Sequence, residues 1–413
     1  MARVVIIGGS LGGLMAANML HRAGHEVTVL EKTLNSLDGR GAGIVTHKPL
    51  ATALVRCGVA SDARLGIAID KRVLLDRQGD IAAQVTLPQV LTSWSRLYTL
   101  LLAAFPAKRY VQGASVNQVS QSHDCAMVTC DDGRTFEAEI VVASDGIRSG
   151  VRASLAPQVE VKYAGYVAWR GVCDESALSD WTLRSVFETF GFGLPPGEQI
   201  IGYPVAGAGN SVGVGQRRYN FVWYRPAPDD GVLQSLMTDA DGHHHLHGLP
   251  PNKVSWKHVA SVRQAARERL APQFADILEK TTQPFLQPIY DFSSERIAFD
   301  RVALMGDAAF VARPHVGMGV TKAAEDAMAL TDCIVALGAN ALALQAFEAL
   351  RLKPGQAAVE RARRLGAYMQ ASASPGTNLD TLERDARAVL MDTAIDLSTV
   401  PLQNETKPDV VLN

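Results

Sequence analysis

The chain has 413 residues, 47% apolar and 20% charged, which suits two or three domains with a sizeable core and excludes collagen-like, mucin-like or wholly disordered architectures. Its 40 Lys and Arg nearly balance 42 Asp and Glu, for a formal charge of -2, which argues against a protein built to coat nucleic acid. The 5 cysteines are scattered, the amino-terminal apolar run is too short for a secretory signal, and no long apolar stretch reads as a membrane span, so a cytoplasmic protein without a disulfide framework is expected.

Arg3–Ile7 is a β-branched run suited to a buried parallel strand. It enters Gly8-Gly9-Ser10-Leu11-Gly12-Gly13, followed by a predicted helix over Leu14–Ala23 that Gly24 stops, and by a strand over Val27–Leu30 closed by Glu31. This is the order of a βαβ unit. A second glycine cluster at 39–43 precedes a helix near Pro49–Cys57. Residues 60–90 read as short antiparallel strands, and Ser95–Ala104 as a helix stopped by Pro106. Strand segments between 111 and 143 flank an Asp131-Asp132-Gly133 turn and deliver Asp145-Gly146.

Aromatic residues concentrate between Val159 and Ser293. Strand-like segments at 163–172, 184–193, 199–205, 211–215 and 219–225 predict an antiparallel sheet, its outward face covered by helices near 231–238 and 258–270 or packed against a ligand. Ile297–Met305 again reads as a buried strand, ending in Gly306-Asp307. Thr321–Leu337 follows as an Ala-rich helix, then a helical region over 341–371 interrupted near Pro354, and a frayed tail over 401–413. The expected organisation is α/β: a nucleotide-binding domain from 1–158 and 296–352, a sheet domain inserted over 159–295, and a C-terminal helical region and tail over 353–413.

The opening unit carries the strongest chemical signal. A parallel strand feeding a helix through Gly8, Ser10, Leu11 and Gly13 aims free backbone N–H groups at a pyrophosphate. Glu31, with Lys32 beside it, ends the second strand where a carboxylate can accept from a ribose hydroxyl. Ser10 stands where the fingerprint prefers glycine; it is small and can donate its hydroxyl. Glu31 would repel a 2′-phosphate, so the site suits FAD or NAD.

In four spaced signals the chain resembles the single-component flavin-dependent aromatic hydroxylases of the para-hydroxybenzoate hydroxylase type. They are the glycine turn with Glu31, Arg96 in Ser95-Arg96-Leu97, Ser144-Asp145-Gly146 with Arg148-Ser149, and Gly306-Asp307-Ala308-Ala309 continuing as Arg313-Pro314-His315-Val316-Gly317-Met318-Gly319. The resemblance implies a Rossmann-like FAD-binding domain with an inserted antiparallel β-sheet substrate domain and C-terminal helices. It implies that Asp307 bonds flavin ribityl or ribose hydroxyls, that Pro314, Gly317, Met318 and Gly319 meet the flavin ring, and that Asp145 helps hold the cofactor. Arg40 and Arg96 become candidate phosphate or flavin contacts. Phe310 departs from that family, where His commonly follows Gly-Asp-Ala-Ala.

The resemblance further implies bound FAD, transient NADH or NADPH, O2 and a small hydroxylated aromatic ring, dihydroxypyridine-like, attacked through a flavin C4a-hydroperoxide. Related readings are hydroxylation of a hydroxynicotinate, a hydroxybenzoate or a larger aromatic, or a flavin oxidoreductase without oxygen insertion. Ring deprotonation calls for His or Tyr near the substrate, and His47, Tyr203, Tyr224 and His315 are the candidates. Trp223 and Tyr224 are neighbours on one strand, so only one of them can face the substrate. His243-His244-His245 with His247 reads as a solvated loop and no metal is expected. No nucleic acid or membrane partner is expected, and a homodimer is permitted.

Overall fold

The computed structural model describes residues 1–35, 43–60, 64–246, 248–371, 386–394 and 410–412. In chain order, strand β1 (Arg3–Ile7) leads to helix α1 (Leu11–Arg22), β2 (Glu26–Glu31), β3 (Gly43–Thr46), α2 (Lys48–Arg56), β4 (Ile67–Leu75), β5 (Ile81–Ser93) and α3 (Trp94–Ala104). Short strands β6 (Tyr110–Gln112), β7 (Val116–Gln121), β8 (Ala126–Cys130), β9 (Thr135–Ala138) and β10 (Ile140–Ala143) precede α4 (Gly150–Leu155). Then come β11 (Lys162–Asp174), α5 (Asp180–Thr182), β12 (Phe190–Gly193), β13 (Gln199–Val205), β14 (Arg218–Pro226), α6 (Val232–Leu236), α7 (Trp256–Arg269) and α8 (Pro272–Lys280). The last third holds β15 (Phe285–Ser293), β16 (Ala298–Phe299), β17 (Val302–Leu304), β18 (Phe310–Val311), α9 (Gly319–Leu337), α10 (Ala341–Ala371), α11 (Ala386–Asp392) and β19 (Val410–Leu412).

Six strands form a Rossmann-like sheet in the order β16-β17-β10-β1-β2-β6, parallel except for the β16–β17 hairpin. Val4–Ile7 and Ile140–Ala143 are buried throughout, because helices and the small antiparallel sheet β7-β8-β9 pack into one core with them and leave neither face to water. Helix α1 starts at Leu11, earlier than expected, with Gly12 and Gly13 inside its first turn. A Cβ on Gly13 would stand 1.9 Å from the Gly8 carbonyl oxygen, so glycine is what lets helix and strand meet this closely.

The larger sheet runs β18-β15-β11-β14-β13-β12-β4-β5-β19, with β3 also on β5. It is mixed rather than antiparallel, because β12 pairs with β4 in parallel. Strands β3, β4 and β5 come from the first third of the chain, so this sheet is not assembled from its middle third alone. Of the expected strands, the one at 184–193 is strand only over Phe190–Gly193, and the one at 211–215 is absent. Residues 183–187 form a helical turn entered through Ser179, whose hydroxyl accepts from the Thr182 amide. Residues 211–215 form a turn in which Gly215 has φ +81°. Helices α7 and α8 cover one face, packing Val259, Val262, Phe274 and Ile277 against Trp169, Phe221 and Trp223. The other face presents Tyr166, Ala168, Tyr203, Val222 and Tyr224.

Helix α10 is continuous through Pro354, contrary to the expected interruption. Pro354 lies on the exposed side next to exposed Leu350, so the hydrogen bond that proline cannot give is lost at the surface rather than in the core. Within the expected tail, Val410–Leu412 pairs antiparallel with Ala83–Val85, and 401–409 lie outside the described residues. Among the described residues no helix is long and apolar enough to cross a membrane. All 5 cysteines are free.

Candidate active site

The carboxyl ends of β17, β10 and β1 lie side by side, and this brings the glycine turn and the Asp307 loop together. Ser144, just past β10, touches both: a Cβ on Gly12 would lie 3.1 Å from its Oγ, and one on Gly306 3.7 Å from it. The carboxyl edge of a parallel sheet is where ligands bind in such folds.

Gly8 has φ +102°, and a Cβ there would come within 2.3 Å of the Ser144 carbonyl oxygen. Glu31 is buried and turned back to the turn, its carboxylate accepting from the Gly9 amide at 2.9 Å and the Thr33 amide at 2.9 Å. Ser10 caps α1 through its backbone, leaving its hydroxyl off the helix. Gly8, Ser10, Glu31, Lys32 and Asp145 border a groove of about 380 Å³. Leu11 is buried beneath the turn. Asp145 Oδ1 is buried there without a hydrogen-bond partner among the described residues, and burial raises the Asp145 pKa above the usual carboxylate range. An acceptor orphaned in this groove fits the hydroxyls of an adenosine-bearing ligand.

Asp307 opens into a second, larger cavity of about 950 Å³, which shares Arg148 with the groove. Protein surrounds the carboxylate on its other sides, so loss of water raises its pKa, against the opposing pull of the Lys322 charge. Buried Lys322 donates to the Gly306 carbonyl at 2.7 Å, and Asp326 accepts from the Gly306 amide at 3.1 Å. These two bonds fix the loop that carries Asp307. Pro314, Gly317 and Gly319 line the same cavity. Gly317 has φ +62°, and buried Met318 caps α9. A Cβ on Gly319 would meet nothing within 4 Å, so the first turn of α9 faces open space. Phe310, the departure from the family pattern, is spent on packing: it is buried where a Cβ on Gly355 of α10 would touch its ring at 2.4 Å.

The four candidate bases divide. Tyr203 and Tyr224 line the cavity, and burial pushes Tyr203 up to about 12 and Tyr224 higher still, so both remain protonated donors at neutral pH. His47 and His315 are buried and do not line it. His47 Nδ1 meets Thr321 Oγ1 at 2.9 Å and Nε2 meets the Ala394 carbonyl at 3.4 Å. His315 Nε2 meets the Tyr166 hydroxyl at 2.8 Å, with the Tyr224 ring packed at 4.1 Å between centroids. Trp223 faces the helices while Tyr224 faces the cavity, as strand alternation requires.

Arg96 borders neither cavity; it donates to the Arg64 carbonyl at 3.0 Å and sits on the first turn of α3. Arg40 lies outside the described residues. In the histidine loop, His245 Nε2 bonds Asp239 at 2.8 Å, and the ligand atoms of Asp239, Asp241 and His243 lie within 4.8 Å of one another; His247 lies outside the described residues. Sequence reasoning missed Arg170, Gln287, Phe190 and Ile201 as cavity residues. The available signal was alternation on β11, which puts Tyr166, Ala168 and Arg170 on one face.

A groove with an orphaned acceptor, continued at Arg148 into a flat-walled cavity along one sheet edge, suits a dinucleotide laid out straight: this is the plan of an FAD-dependent oxidoreductase. An FAD binding domain family matches residues 1–65, and an FAD binding domain-like family matches 163–291. The chain is 30% identical over 374 residues to 2,6-dihydroxypyridine 3-monooxygenase of Paenarthrobacter nicotinovorans, covering 89% of this chain and 91% of that one. It is 28% identical over 383 residues to aurachin C monooxygenase/isomerase of Stigmatella aurantiaca, covering 88% of each. The structure of 2,6-dihydroxypyridine-3-hydroxylase from Arthrobacter nicotinovorans superposes with a TM-score of 0.84 at 29% identity, covering 92% of this chain and 95% of that one. The chain therefore belongs to the single-component FAD-dependent aromatic hydroxylases of the para-hydroxybenzoate hydroxylase type, and it is an FAD-dependent monooxygenase.

Proposed function

We propose that this enzyme uses NADH or NADPH and O2 to hydroxylate a small ring that already carries hydroxyl groups, a dihydroxypyridine-like N-heterocycle. The observation that carries this reading is the cavity between the Gly317–Gly319 loop and the sheet floor, walled by Phe190, Ile201, Val222 and Ile289 and pointed by Tyr203, Tyr224 and Arg170. Flat apolar walls with few polar groups suit a small planar ring. The substrate named for the relative from Paenarthrobacter nicotinovorans has this chemistry.

FAD, when bound, supplies the redox chemistry, taking hydride from the nicotinamide and activating oxygen. The chain's own residues bind, orient and shield. Backbone amides from Ser10 to Gly13 would receive the pyrophosphate, since the Gly8 amide is spent on the Leu30 carbonyl and the Gly9 amide on Glu31; Glu31 and Asp145 would accept from adenosine-side hydroxyls, and Asp307 from the ribityl side. The first turn of α9, from Gly319, favours negative charge on the ring edge beside it. Phe190, Ile201 and Val222 exclude water. Tyr203 and Tyr224, held protonated by burial, orient the ring by donating to its oxygen atoms rather than by removing its protons. One nucleotide-binding βαβ unit leaves the nicotinamide as a transient visitor.

The free cysteines support a cytoplasmic setting, and exposed Val335, Leu337 and Leu342 where α9 meets α10 support a homodimer, testable by sedimentation. The deciding experiment incubates FAD-loaded enzyme with NADH or NADPH and a panel of hydroxylated pyridines, hydroxynicotinates and hydroxybenzoates. A dihydroxypyridine product heavier by one oxygen, formed with matched nicotinamide consumption, supports the reading. Nicotinamide oxidation with no oxygenated product refutes it.

A further inference from the structure

The sheet floor of the cavity carries a cation, Arg170, that has no acid partner among the described residues. Arg170 sits on β11 directly opposite Val222 of β14, which stands opposite Ile201 of β13. The row on one side pairs Ala168 with Tyr224, and the row on the other leads through Asn220 to Tyr203. Arg170 therefore lies between the two cavity tyrosines, on their face of the sheet. Its Nη1 donates to Gln287 Oε1 at 2.8 Å, while its Nε is buried without a hydrogen-bond partner among the described residues.

Of the other three cavity arginines, Arg148 stands where the cavity meets the groove, away from the sheet floor, and the remaining two are engaged within the protein. Arg313 pairs with Asp291 at 2.6 Å, and Arg152 donates to the Ala308 and Ile147 carbonyls. Asp307 is the only carboxylate among the described lining residues, and it belongs to the opposite, flavin-side wall. A half-buried guanidinium held by a neutral amide, and facing an apolar space, keeps its charge available for a ligand.

We propose that Arg170, steered by Gln287, binds the ionised ring oxygen of the substrate, so that the cavity selects the anionic form of a hydroxylated ring. The proposal rests on the hydroxylase reading above. A delocalised ring oxyanion fits better than a neutral ring because Tyr203 and Tyr224 can donate to the same oxygen region and, among the described residues, no acid is paired with the guanidinium. It also suits the reaction: an ionised ring oxygen makes the ring richer in electrons, which removes the need for a protein base at the site.

The test uses FAD-loaded enzyme and reads flavin absorbance during titration with two matched rings, 4-nitrophenolate and neutral 4-nitroanisole. The wild type should favour the anion. Arg170→Met should lower that preference by about 10- to 100-fold, the scale of one charge-assisted hydrogen bond. Arg170→Lys should keep most of it, and Gln287→Leu should give an intermediate loss. A wild type without the preference, or an Arg170→Met enzyme that retains it, overturns the proposal. Should Arg170→Met fail to hold FAD, an unchanged preference in Gln287→Leu overturns it instead. The substrate reading fails separately: an enzyme that prefers the anion but never oxygenates a dihydroxypyridine loses its proposed substrate and keeps its cation site.

Discussion

The Ala394 carbonyl accepts a 2.9 Å hydrogen bond from Arg72 Nη2, across 322 residues of sequence. Arg72 is fully buried and also donates to the Leu390 and Thr393 carbonyls at the end of α11, stacking over Phe190 at 5.0 Å. Burial pulls its pKa down to about 9, which still leaves it charged at neutral pH, where it complements the helix C-terminus. Ala394 in turn lines the cavity and donates its amide to the His315 carbonyl at 3.2 Å. Arg72 thus ties a distant segment to the flavin-side loop.

Arg72→Met should take the side-chain donor from the Leu390 and Thr393 carbonyls, leaving Ala394 to Gln89 and His47, and cost on the order of 2–3 kcal/mol or more. The expected result is a lower melting temperature, faster proteolysis within 386–394 and weaker FAD retention. Unchanged protease sensitivity would refute the tie.

Gly8→Ala and Gly13→Ala should each prevent FAD retention. Alanine at 8 combines φ +102° with a Cβ 2.3 Å from a backbone oxygen, and at 13 the clash is with Gly8 itself. The backbone strain alone is worth about 1–3 kcal/mol. The check is flavin content after purification at matched far-ultraviolet circular dichroism. Ser10→Gly, which restores the usual fingerprint, should keep flavin.

The glycine turn and the Asp307 loop were legible because backbone chemistry fixes them: a positive φ, a close approach and an acid at a strand end are written in residue type and spacing. Phe310 could be seen as a departure, but its packing against Gly355 could not, since that contact depends on where α10 docks. The strand expected at 184–193 began too early, because Ser179 and Thr182 start a helical turn over 183–187 that a local apolar pattern does not reveal, and only Phe190–Gly193 is strand. Arg170 was hidden among aromatic neighbours, and only the β11–β14–β13 register sets it between Tyr224 and Tyr203. The Arg72 tie joins residues too far apart for any local pattern to signal.

Asp307 should make the cofactor-free protein less stable as pH rises. Its side chain is open to the cavity, and the protein packed behind it removes enough water to raise its folded pKa, so between the unfolded and folded values the native state binds more protons than the unfolded one. Stability is therefore highest below the ordinary carboxylate range and falls as pH climbs through the raised value. Asp307→Asn should reduce this slope, leaving the part that Asp145 contributes, and raise the melting temperature of the cofactor-free protein above that range, while weakening FAD binding. Thermal melts against pH, with and without FAD, read both effects. A variant that binds FAD as well as the wild type would remove Asp307 from the proposed contacts.

No limb of the hydroxylation pH profile should belong to His47. Its ring is closed between Thr321 Oγ1 and the Ala394 carbonyl, away from the cavity, and a base must come within hydrogen-bond reach of the proton it takes. His47→Gln should therefore cost about 1 kcal/mol of stability through a lost buried hydrogen bond. The kcat/KM profile should keep its shape. Tyr203→Phe should raise KM by removing a donor from the cavity, again without moving a limb near neutrality, because the Tyr203 hydroxyl sits at about 12. Steady-state kinetics across pH, with oxygenated product as the readout, separate these outcomes. A limb that vanishes in His47→Gln but persists in Tyr203→Phe would restore the histidine as the base, and the anion-selecting cavity would then have to share ring deprotonation with it.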